Sequence, residues 1–443
     1  MSATQTTRDL VVGLGATGLS IARYLRRSDI DAAFFDTRAE PPGIDEVREL
    51  YPDADVMLGD LRMPSGIGRV IASPGIPDTH PLLAGARKTR LEIISDIELF
   101  AREANAPYIA VTGSNGKSTV TTLLYHFCRA AGLDVRAGGN LGQPALDLLE
   151  GDAPDIYVLE LSSFQLHRTH QLPADVSVLL NVSPDHLDWH SSESEYRETK
   201  YRIYREAKSA VVNRADPTAA ERTRHLDTVL SFGMDEPLDG HYGLRVDDGM
   251  TYLARGETLL MSTEELALIG RHNQANALAA MAAGELAGID VNSMLEVLCE
   301  FPGLEHRMQF VARSGSVDYV NDSKATNVGA AVASIDSIEG SLVLVAGGDG
   351  KGGDFAELGA ALENKLRAAV LIGKDAQAIA DALDTVMPVY FATDMNDAVE
   401  QASRYAEAGD TVLLAPACAS LDQYRNYEER GDAFAKAVGG LKR

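Results

Sequence analysis

Short apolar runs alternate with longer amphipathic segments along almost the whole chain. The apolar runs occupy residues 10–12, 69–73, 109–111, 156–159, 176–180, 210–212, 318–320, 342–346, 369–372, 389–392 and 412–415. Between them lie segments with helical spacing, such as residues 376–383 and 397–406. Unbroken apolar strands are typical of parallel sheets covered by helices on both faces. The pattern therefore predicts an α/β protein.

The segment I-A-V-T-G-S-N-G-K-S-T at residues 109–119 places a glycine loop between an apolar strand and a helical pattern. Loop N–H groups and the helix N-terminus supply partial positive charge, Lys117 a full one, and Ser118 or Thr119 a hydroxyl for magnesium. Val111 stands where the outer glycine of a full Walker A motif would fall. A plain Gly-rich turn is the alternative, but the lysine, the hydroxyls and the flanking pattern together predict a site for a nucleoside triphosphate.

Changes in pattern divide the chain into three predicted domains. Residues 1–96 read as a Rossmann-like domain. Residues 97–301 read as a P-loop ATPase-type parallel sheet, with a small antiparallel β insertion over about 223–262, where short strands alternate with Asp and Gly turns. Residues 302–443 follow the Phe301-Pro302-Gly303 linker and read as a third, Rossmann-like α/β domain. The predicted domains show no sequence repeat.

The first strand is followed by a second glycine motif, G-L-G-A-T-G at residues 13–18, and the next apolar run ends at Asp36. Glycines at this spacing let a pyrophosphate approach a helix N-terminus, and an acid about 20 residues on could take a ribose hydroxyl. The rigid turn S-P-G-I-P at 73–77 lies at the same sheet edge. These features indicate a nucleotide diphosphate site.

Polar residues also follow the central strands. Glu160 closes one strand, and Asn181 and His186 follow the next. The carboxyl ends of parallel strands meet at one sheet edge, so we expect these residues near Lys117. Magnesium needs only one or two protein ligands besides phosphate oxygens, and Glu160 and His186 are candidates. A histidine with a purely structural role is the alternative at His186.

Further polar clusters mark the second half of the chain. Asn273 and Asn276 share one face at a helix start, where they could read an adenine edge or simply cap the helix. Arg307 follows the linker and could reach phosphates from a neighbouring domain. The segments at 321–327 and 347–351 follow strands and suit a small acid with carboxylates, although each could be only a polar turn.

Composition narrows the class of function. The 443-residue chain has a formal net charge of −25 at pH 7, which argues against nonspecific binding to nucleic acid. Its three cysteines form no CxxC pair, and no apolar run approaches the roughly 18 residues of a membrane span. We expect a cytoplasmic protein without a secretory signal, a cysteine-based zinc motif or a membrane partner.

The motifs resemble the Mur ligases of peptidoglycan synthesis over nearly the whole chain. T-G-S-N-G-K-S-T, L-E-L-S-S-F-Q-L and D-H-L-D are similar to the wider superfamily, which includes folylpolyglutamate synthases. N-D-S-K-A-T-N, G-G-D-G-K-G-G-D-F and P-A-C-A-S-L-D-Q-Y-R-N-Y-E-E-R-G resemble the member that adds D-glutamate. The resemblance implies a cytoplasmic, monomeric enzyme that uses ATP and Mg²⁺ and has no nucleic-acid or membrane partner.

The implied reaction joins D-glutamate to UDP-N-acetylmuramoyl-L-alanine (UDP-MurNAc-L-Ala). ATP phosphorylates the alanyl carboxylate, and the amine of D-glutamate then displaces phosphate from the acyl phosphate. Such chemistry depends mainly on positioning and on stabilisation of charge. The three domains would bind the UDP-linked substrate, ATP and the amino acid, in chain order.

The resemblance also implies roles for individual residues. The UDP-linked substrate would contact Gly15, Ala16, Thr17, Asp36, Thr37, Arg38, Gly75, Asn140, Ser162 and His186. ATP would contact Gly113, Ser114, Asn115, Gly116, Lys117, Ser118, Thr119, Asn273, Asn276, Arg307 and Asp322. D-Glutamate would contact Thr326, Lys351, Ser420 and Tyr427. Metal would be held by Ser118, Glu160, His186 and Lys200. Catalysis would rest on Lys117, Glu160, His186 and Lys200.

Lys200 shows how much the resemblance adds. Without it, the segment Y-R-E-T-K-Y at 196–201 predicts a solvated lysine on a charged helix. The matching lysine of the family is typically carbamylated, and a lysine near other cations loses its proton more easily. The neutral amine can add CO₂, which converts a cation into an oxygen ligand for Mg²⁺.

The chain departs from the family pattern in two places. W-H-S at 189–191 follows D-H-L-D, where family members vary, and Tyr427 stands where Phe is common.

Three other functions are alternatives to the one that the resemblance implies. An NAD-dependent oxidoreductase would leave the P-loop without a role. A nucleotide-regulated binding module would bind ATP without substrate-stimulated phosphate release. A sister Mur ligase or a folylpolyglutamate-synthase-like ligase would add another amino acid.

Overall fold

Three sheets with flanking helices make up the computed structural model, which describes residues 7–59, 62–186, 189–268, 270–338, 340–383 and 388–441. The α/β prediction is confirmed. Most neighbouring strands are parallel, so their carboxyl ends form one polar edge in each sheet. Leu187 and Asp188 of the D-H-L-D motif lie outside the described residues.

The N-terminal sheet has five parallel strands in the order β3-β2-β1-β4-β5. The chain turns sharply from β1 into α1. A Cβ on Gly18 would lie 1.8 Å from the carbonyl oxygen of Gly13, so only glycine allows this approach. The elements are β1 Arg8–Val12, α1 Ala16–Arg27, β2 Ala32–Asp36, α2 Ile44–Leu50, β3 Val56–Leu58, β4 Ile67–Ala72, α3 Pro81–Lys88 and β5 Glu92–Ile94.

The central sheet has nine strands in the order β14-β13-β12-β11-β10-β9-β6-β8-β7. Its helical and turn elements are α4 Asp96–Glu103, α5 Lys117–Ala130, a 3₁₀ turn Ala145–Leu149, α6 Ser163–His167, α7 Glu193–Tyr201, a 3₁₀ turn Arg202–Tyr204, α8 Pro217–Arg222, α9 Arg271–Leu286 and α10 Val291–Glu300. Its strands are β6 Tyr108–Thr112, β7 Val135–Gly139, β8 Ile156–Glu160, β9 Val176–Leu179, β10 Ser209–Asn213, β11 Thr228–Phe232, β12 Tyr242–Asp247, β13 Met250–Arg255 and β14 Thr258–Ser262.

The predicted β insertion is only partly antiparallel. Strands β12 to β14 form an antiparallel meander at the sheet edge, as expected. Strand β11, however, pairs in parallel with β10 over its whole length and continues the main sheet. Its mixed sequence, T-V-L-S-F, lacks the unbroken apolar run of the central parallel strands because the strand is only partly buried.

The C-terminal sheet has six strands in the order β15-β16-β20-β17-β18-β19, and only β15 is antiparallel to its neighbour. The elements are β15 Gln309–Ser314, β16 Val317–Asn321, α11 Val328–Ser337, β17 Leu342–Gly347, α12 Ala356–Leu362, β18 Leu366–Ile372, α13 Ala376–Ala382, β19 Val389–Phe391, α14 Met395–Tyr405, β20 Thr411–Leu414 and α15 Tyr427–Gly439.

A buried arginine holds the strand ends of this last sheet together. Arg430 on α15 is 1% exposed. Its guanidinium donates to the hydroxyl and carbonyl oxygens of Ser323, at 3.0 and 2.8 Å, and to the carbonyl oxygens of Cys418 and Gly347, at 3.1 and 3.4 Å. One side chain therefore ties the segments that follow three strands.

The clusters of buried apolar residues show which parts of the molecule pack against each other. One cluster contains both Val11 of the N-terminal sheet and Leu159 of the central sheet, so these two parts pack against each other. The buried apolar residues of the C-terminal sheet form separate clusters, such as the one around Leu344. The C-terminal part meets the central part where α11 lies beside α9, with Nδ1 of His272 2.7 Å from Oγ of Ser337. Within the described ranges, none of the helices combines the length and apolar character that crossing a bilayer requires.

Candidate active site

The P-loop joins β6 to α5, as the sequence predicts. Its last residue, Gly116, has a φ of 83°, and a Cβ there would lie 2.3 Å from Oδ1 of Asn276. The side chain of Asn181 fixes the loop from below. Its Oδ1 accepts from the backbone N–H of Asn115 at 2.9 Å, and its Nδ2 donates to the carbonyl of the same residue at 3.1 Å. The protein alone therefore sets the shape of the loop.

Two lysines meet beside this loop. Nζ of Lys117 donates to the carbonyl oxygens of Gly113 and Ser114, at 2.9 and 3.0 Å. Nζ of Lys200, on α7, donates to the same Gly113 oxygen at 2.9 Å, and its side chain is 2% exposed. Burial lowers the pKa of Lys117, and burial with the adjacent Lys117 charge lowers the pKa of Lys200 well below its usual range. A solvated Lys200, which the sequence without the resemblance suggests, is wrong.

Two groups of the kind that bind metal follow the neighbouring strands. Glu160 accepts from Nδ2 of Asn140 through Oε1 at 2.7 Å, whereas its Oε2 is buried and has no hydrogen-bond partner in the described part of the chain. His186 has a φ of 54°, and its ring packs on Phe164 with centroids 4.7 Å apart. Burial lowers the pKa of His186, so its imidazole is neutral at neutral pH.

A polar cavity of about 190 Å³ collects most of the predicted catalytic residues. Its walls include Ser114, Asn115, Gly116, Lys117, Ser118, Asn140, Glu160, Ser162, His186, Lys200, Arg307, Thr326 and Lys351. These residues come from both the central and the C-terminal sheets. The structure thus brings together the predicted P-loop and metal groups with parts of the predicted sugar and D-glutamate sets.

A second cavity of about 310 Å³ adjoins the P-loop. Its walls include the predicted nucleotide residues Asn115, Gly116, Thr119, Asn273, Asn276, Arg307 and Asp322. Nδ2 of Asn276 donates to Oδ1 of Asn273 at 3.0 Å, so the two amides share one face of α9, as their spacing predicts. Asp322 accepts from the hydroxyl of Ser334, and burial raises the pKa of this carboxyl to about 6.

Polar contacts close the C-terminal sheet over these cavities. A guanidinium nitrogen of Arg307 donates to Oγ of Ser118, the first hydroxyl after the P-loop lysine, at 2.7 Å. Nδ2 of Asn327 donates to Oδ2 of Asp185 at 3.0 Å. Arg307 thus contacts the residue after the P-loop lysine from the C-terminal part of the chain, and its contact with phosphates stays a prediction.

The N-terminal glycine motif lines a separate cavity of about 400 Å³. Its walls include Gly15, Ala16, Thr17, Asp36, Thr37, Arg38 and Gly75. Both carboxylate oxygens of Asp36 are already engaged, by the backbone N–H groups of Leu14 and Arg38 and by the Arg38 guanidinium. These donors lower the pKa of Asp36 to about 2, although burial opposes them. In this arrangement Asp36 shapes the loop and orients Arg38, and a ribose contact stays a prediction.

Two of the predicted D-glutamate residues lie apart from Thr326 and Lys351. Ser420 is buried, and neither it nor Tyr427 is among the described residues that line the cavity around Lys117. Tyr427 instead packs against a lysine that the site predictions omitted. Nζ of Lys324 lies 3.8 Å from the centroid of the Tyr427 ring. The roles of Ser420 and Tyr427 stay predictions.

Lys324 is the main cavity residue to which the sequence analysis gave no individual role, although it lies in the segment 321–327 that was predicted to suit a small acid. It lines both the cavity around Lys117 and the cavity around Asn276. Burial lowers its pKa to about 8, and the charges of Arg307 and Lys117 add to that shift. Its place three residues after the end of β16, in N-D-S-K-A-T-N, was the available signal, because ligands bind at the carboxyl ends of parallel strands.

The three-domain architecture and the two adjoining cavities are those of an ATP-dependent ligase, and matches to family models identify the family. The Mur ligase MurD-like N-terminal domain matches residues 7–95, the Mur ligase middle domain matches residues 111–284, and the Mur ligase glutamate ligase domain matches residues 306–418. The chain belongs to the Mur ligase family. The matched ranges lie inside the three predicted domains, whose exact boundaries stay predictions.

Named relatives are similar over the whole length. The UDP-N-acetylmuramoylalanine–D-glutamate ligase of Marinobacter nauticus is 47% identical over 439 residues, which cover 98% of both chains. The enzyme of that name from Pseudomonas putida is 47% identical over 438 residues, covering 98% of this chain and 97% of the relative. That of Legionella pneumophila is 46% identical over 441 residues, covering 98% and 99%.

Solved structures support the fold at lower identity. A MurF ligase from Thermotoga maritima in complex with ADP has a TM-score of 0.63 at 19% identity and covers 99% of both chains. A pseudomurein peptide ligase type C from Methanothermus fervidus has a TM-score of 0.62 at 19% identity, covering 98% of this chain and all of that one. These likenesses concern the three-domain architecture.

Proposed function

We propose that this chain is an ATP-dependent ligase that joins D-glutamate to UDP-MurNAc-L-Ala through an acyl phosphate, in peptidoglycan synthesis. The observation that carries the proposal is the cavity in which Lys117 and Glu160 of the central sheet face Thr326 and Lys351 of the C-terminal sheet. Full-length relatives named for this reaction support the choice of D-glutamate over the amino acids of sister ligases.

ATP binds across the central and C-terminal sheets in this proposal. The cavity lined by Asn273 and Asn276 takes the adenosine, and the loop that ends at Gly116 takes the phosphates. Backbone N–H groups at a helix N-terminus stabilise phosphate charge, and Lys117 adds a full positive charge. Arg307 approaches from the opposite side, so charge that develops during phosphoryl transfer is flanked by cations.

The residues around Glu160 fit a magnesium ion. The Oε2 atom of Glu160 is a buried carboxylate oxygen without a partner among the described residues, and leaving such an atom unpaired is costly. Ser118, His186 and a carbamylated Lys200 complete the proposed set of ligands. When bound, Mg²⁺ would neutralise phosphate charge during the transfer.

The UDP-linked substrate spans two cavities in this proposal. The glycine turn around Gly15 and Arg38 holds the uridine diphosphate, and Asn140 contacts the sugar near Glu160. This places the alanyl carboxylate beside the P-loop, where its oxygen attacks the γ-phosphorus and ADP leaves. A carboxylate oxygen is a poor leaving group for amide formation, and phosphorylation removes that obstacle.

D-Glutamate enters from the C-terminal side. Its two carboxylates need cations, and Lys351 and Lys324 both line the cavity around Lys117. Thr326, Ser420 and Tyr427 are proposed as further contacts. Holding the amine beside the acyl carbon makes its attack effectively unimolecular, and phosphate then leaves from the tetrahedral intermediate.

The three domains supply all the proposed site residues, which supports a catalytically complete monomer. Domain roles follow chain order, with residues 1–96 for the UDP-linked substrate, 97–301 for ATP and 302–443 for the amino acid. Free thiols at Cys128, Cys299 and Cys418 and the use of ATP support a cytoplasmic location.

Phosphate release provides the test. Purified protein with ATP, Mg²⁺ and UDP-MurNAc-L-Ala should release phosphate when D-glutamate is added, and mass spectrometry should detect the dipeptide product. L-Glutamate, L-lysine and meso-diaminopimelate serve as competing amino acids. Release that depends on one of these instead of D-glutamate would identify a sister activity, and ATP binding without release would identify a binding module.

A further inference from the structure

Beside the active site, two histidines and a glutamate converge in a cluster that the proposed reaction does not use. His167 ends α6, His190 lies in the loop before α7, and Glu195 lies in the first turn of α7. One ligand-type atom of each residue lies within 4.8 Å of the others. His190 and Trp189 beside it belong to the segment W-H-S, one of the two places where the chain departs from the family pattern.

Both imidazoles keep a nitrogen free. Nδ1 of His167 and Nδ1 of His190 are buried and have no hydrogen-bond partner in the ranges that the structure describes. His190 as a whole is 3% exposed, so water does not readily satisfy it. A buried polar atom without a partner destabilises the fold, and two in one cluster need an explanation.

The other nitrogens are engaged as in metal-bound histidines. Nε2 of His167 lies 2.8 Å from Oδ2 of Asp78, which as a carboxylate only accepts, so in a neutral ring Nε2 carries the proton and Nδ1 the lone pair. Nε2 of His190 lies 3.0 Å from Oγ of Ser163, a hydroxyl that can donate or accept. A hydrogen-bond partner on the second ring nitrogen is the usual support of a ligating histidine.

The charges suit a divalent cation. Burial lowers the pKa of His190 to about 4, which keeps that ring neutral at neutral pH. The hydroxyl and N–H of Ser191 donate to Oε2 of Glu195, at 2.5 and 2.7 Å, and hold its carboxylate ionised, with Oε1 turned to within 3.8 Å of Nδ1 of His167. The Arg168 guanidinium nearby is paired with Asp78.

We propose that His167, His190 and Glu195 form a binding site for a transition-metal ion of the Zn²⁺ class. Two neutral imidazoles and one carboxylate are a common donor set for zinc, with water as the fourth ligand. The site is separate from the magnesium ligands proposed above. A bound ion joins α6 to α7, and it fixes the loop that carries His186, since the N–H of His190 donates to the His186 carbonyl at 3.0 Å.

Metal binding to purified, chelator-treated protein tests this site. The Glu160→Gln variant serves as the background, because it weakens the magnesium site that could also take up a transition metal. Zn²⁺ is titrated by calorimetry, and Co²⁺ is titrated as a coloured probe whose visible absorption intensifies in a four-coordinate site. We expect one equivalent of tightly bound metal in this background.

Substitutions of the proposed ligands distinguish this site from other metal-binding sites in the protein. Added to the background, His190→Asn and Glu195→Gln should weaken Zn²⁺ binding by more than the roughly 10–100-fold that loss of an outer partner causes. His170→Gln, at an exposed neighbouring histidine, should leave it unchanged. Glu195→Gln preserves an oxygen for the Ser191 donors, so it remains folded even if His190→Asn does not. The absence of tight binding, or binding that survives Glu195→Gln, would overturn the proposal.

Discussion

Lys117 and Lys200 donate to one and the same atom, the carbonyl oxygen of Gly113, each at 2.9 Å. Two ammonium groups that share an acceptor repel each other, and Lys200 is buried while Lys117 is half-buried, so the protonated form is disfavoured for each. Burial lowers both pKa values, and that of Lys200 falls well below the usual range. Release of the Lys200 proton relieves the repulsion and leaves the nucleophilic amine that carbamylation requires.

The first prediction follows from this pair. Lys200→Ala should lose most activity, although a lysine has no direct part in the bond changes, because the carbamate oxygens would be lost as ligands. Activity of the native chain should fall on thorough CO₂ depletion and return with bicarbonate, and ¹³C-bicarbonate should give a carbamate signal in NMR spectra. Lys208→Ala, at an exposed lysine paired with Asp175, is the matched control. Wild-type turnover of Lys200→Ala would refute the carbamate.

Loss of the P-loop lysine should affect rate and not fold. Lys117→Ala removes a preorganised charge at the phosphates, which typically lowers kcat on the order of 10²–10³-fold. Steady-state phosphate release measures the effect, and circular dichroism checks that the fold is intact. Near-normal activity in a folded Lys117→Ala variant would remove the basis for the P-loop assignment.

The contact between Arg307 and Ser118 predicts a closing motion. Small-angle scattering should report a more compact particle when a nonhydrolysable ATP analogue, UDP-MurNAc-L-Ala and D-glutamate are all present, because separate apolar cores leave the C-terminal sheet free to swing. Arg307→Ala should weaken this compaction and lower kcat/KM roughly 10–100-fold, as expected for a lost charged hydrogen bond. Arg313→Ala, which breaks an exposed ion pair with Asp318, should change neither. An identical profile with and without the three ligands would contradict closure.

Lys324 gives the enzyme an expected alkaline limit. Its pKa is lowered to about 8, so the free enzyme carries the ammonium below that pH and loses it above. Because anionic substrates need the charge, kcat/KM should fall above about pH 8. Lys324→Arg should shift or abolish this fall, since guanidinium stays charged. An unchanged profile in Lys324→Arg would assign the limit to another group.

The contribution of Lys324 to the stability of the fold changes with pH in the opposite direction to its contribution to kcat/KM. Between pH 8 and the ordinary lysine pKa of 10.5, the unfolded chain binds a proton at Lys324 that the folded chain has released. This group therefore makes folding more favourable as pH rises through that window. A thermal melt series of the wild type and Lys324→Met separates this contribution from activity.

Substitution of the buried Arg430 should lower the stability of the C-terminal domain. Arg430→Met would leave the carbonyl oxygens of Ser323 and Cys418 buried without a donor, at about 1–3 kcal/mol each. We expect the C-terminal domain to unfold at a lower temperature in calorimetry, with a loss of about 2–6 kcal/mol in the free energy of unfolding. Arg425→Ala, at an exposed ion pair with Glu429, should change stability by less than about 1 kcal/mol. Equal melting of Arg430→Met and the wild type would show that the buried bonds contribute little.

The sequence predicted those parts of the site that a single continuous segment forms. The strand, loop and helix around Lys117 need only neighbouring residues, and Glu160 follows from its position at a strand end. The tie between Asn181 and Asn115 spans 66 residues and could not be read from spacing. Lys324 likewise gains its significance from Arg307 and Lys117, which only the folded chain brings near.

Strand prediction failed where burial was partial. Strands β3, β5, β7 and β15 were missed. Strands β3 and β5 have three residues each, of which at most one is fully buried, β7 ends in two glycines that weaken any apolar pattern, and β15 has no fully buried residue. Asp36 shows a different limit of sequence analysis, because its position was predicted but its contacts were not. The spacing placed it correctly at the mouth of the glycine turn, but its partners Leu14 and Arg38 show a carboxylate already engaged by the loop.

The nucleotide cavity has walls from two bodies, with Asn276 on one side and Asp322 on the other. We expect nucleotide to enter and leave this cavity when its two walls separate, so that each turnover of the proposed reaction includes one opening and one shutting of the C-terminal body, in series with bond formation. We therefore expect the separation of two contacts, between Asn327 and Asp185 and between Arg307 and Ser118, to set an upper limit on kcat, however fast the bond changes become.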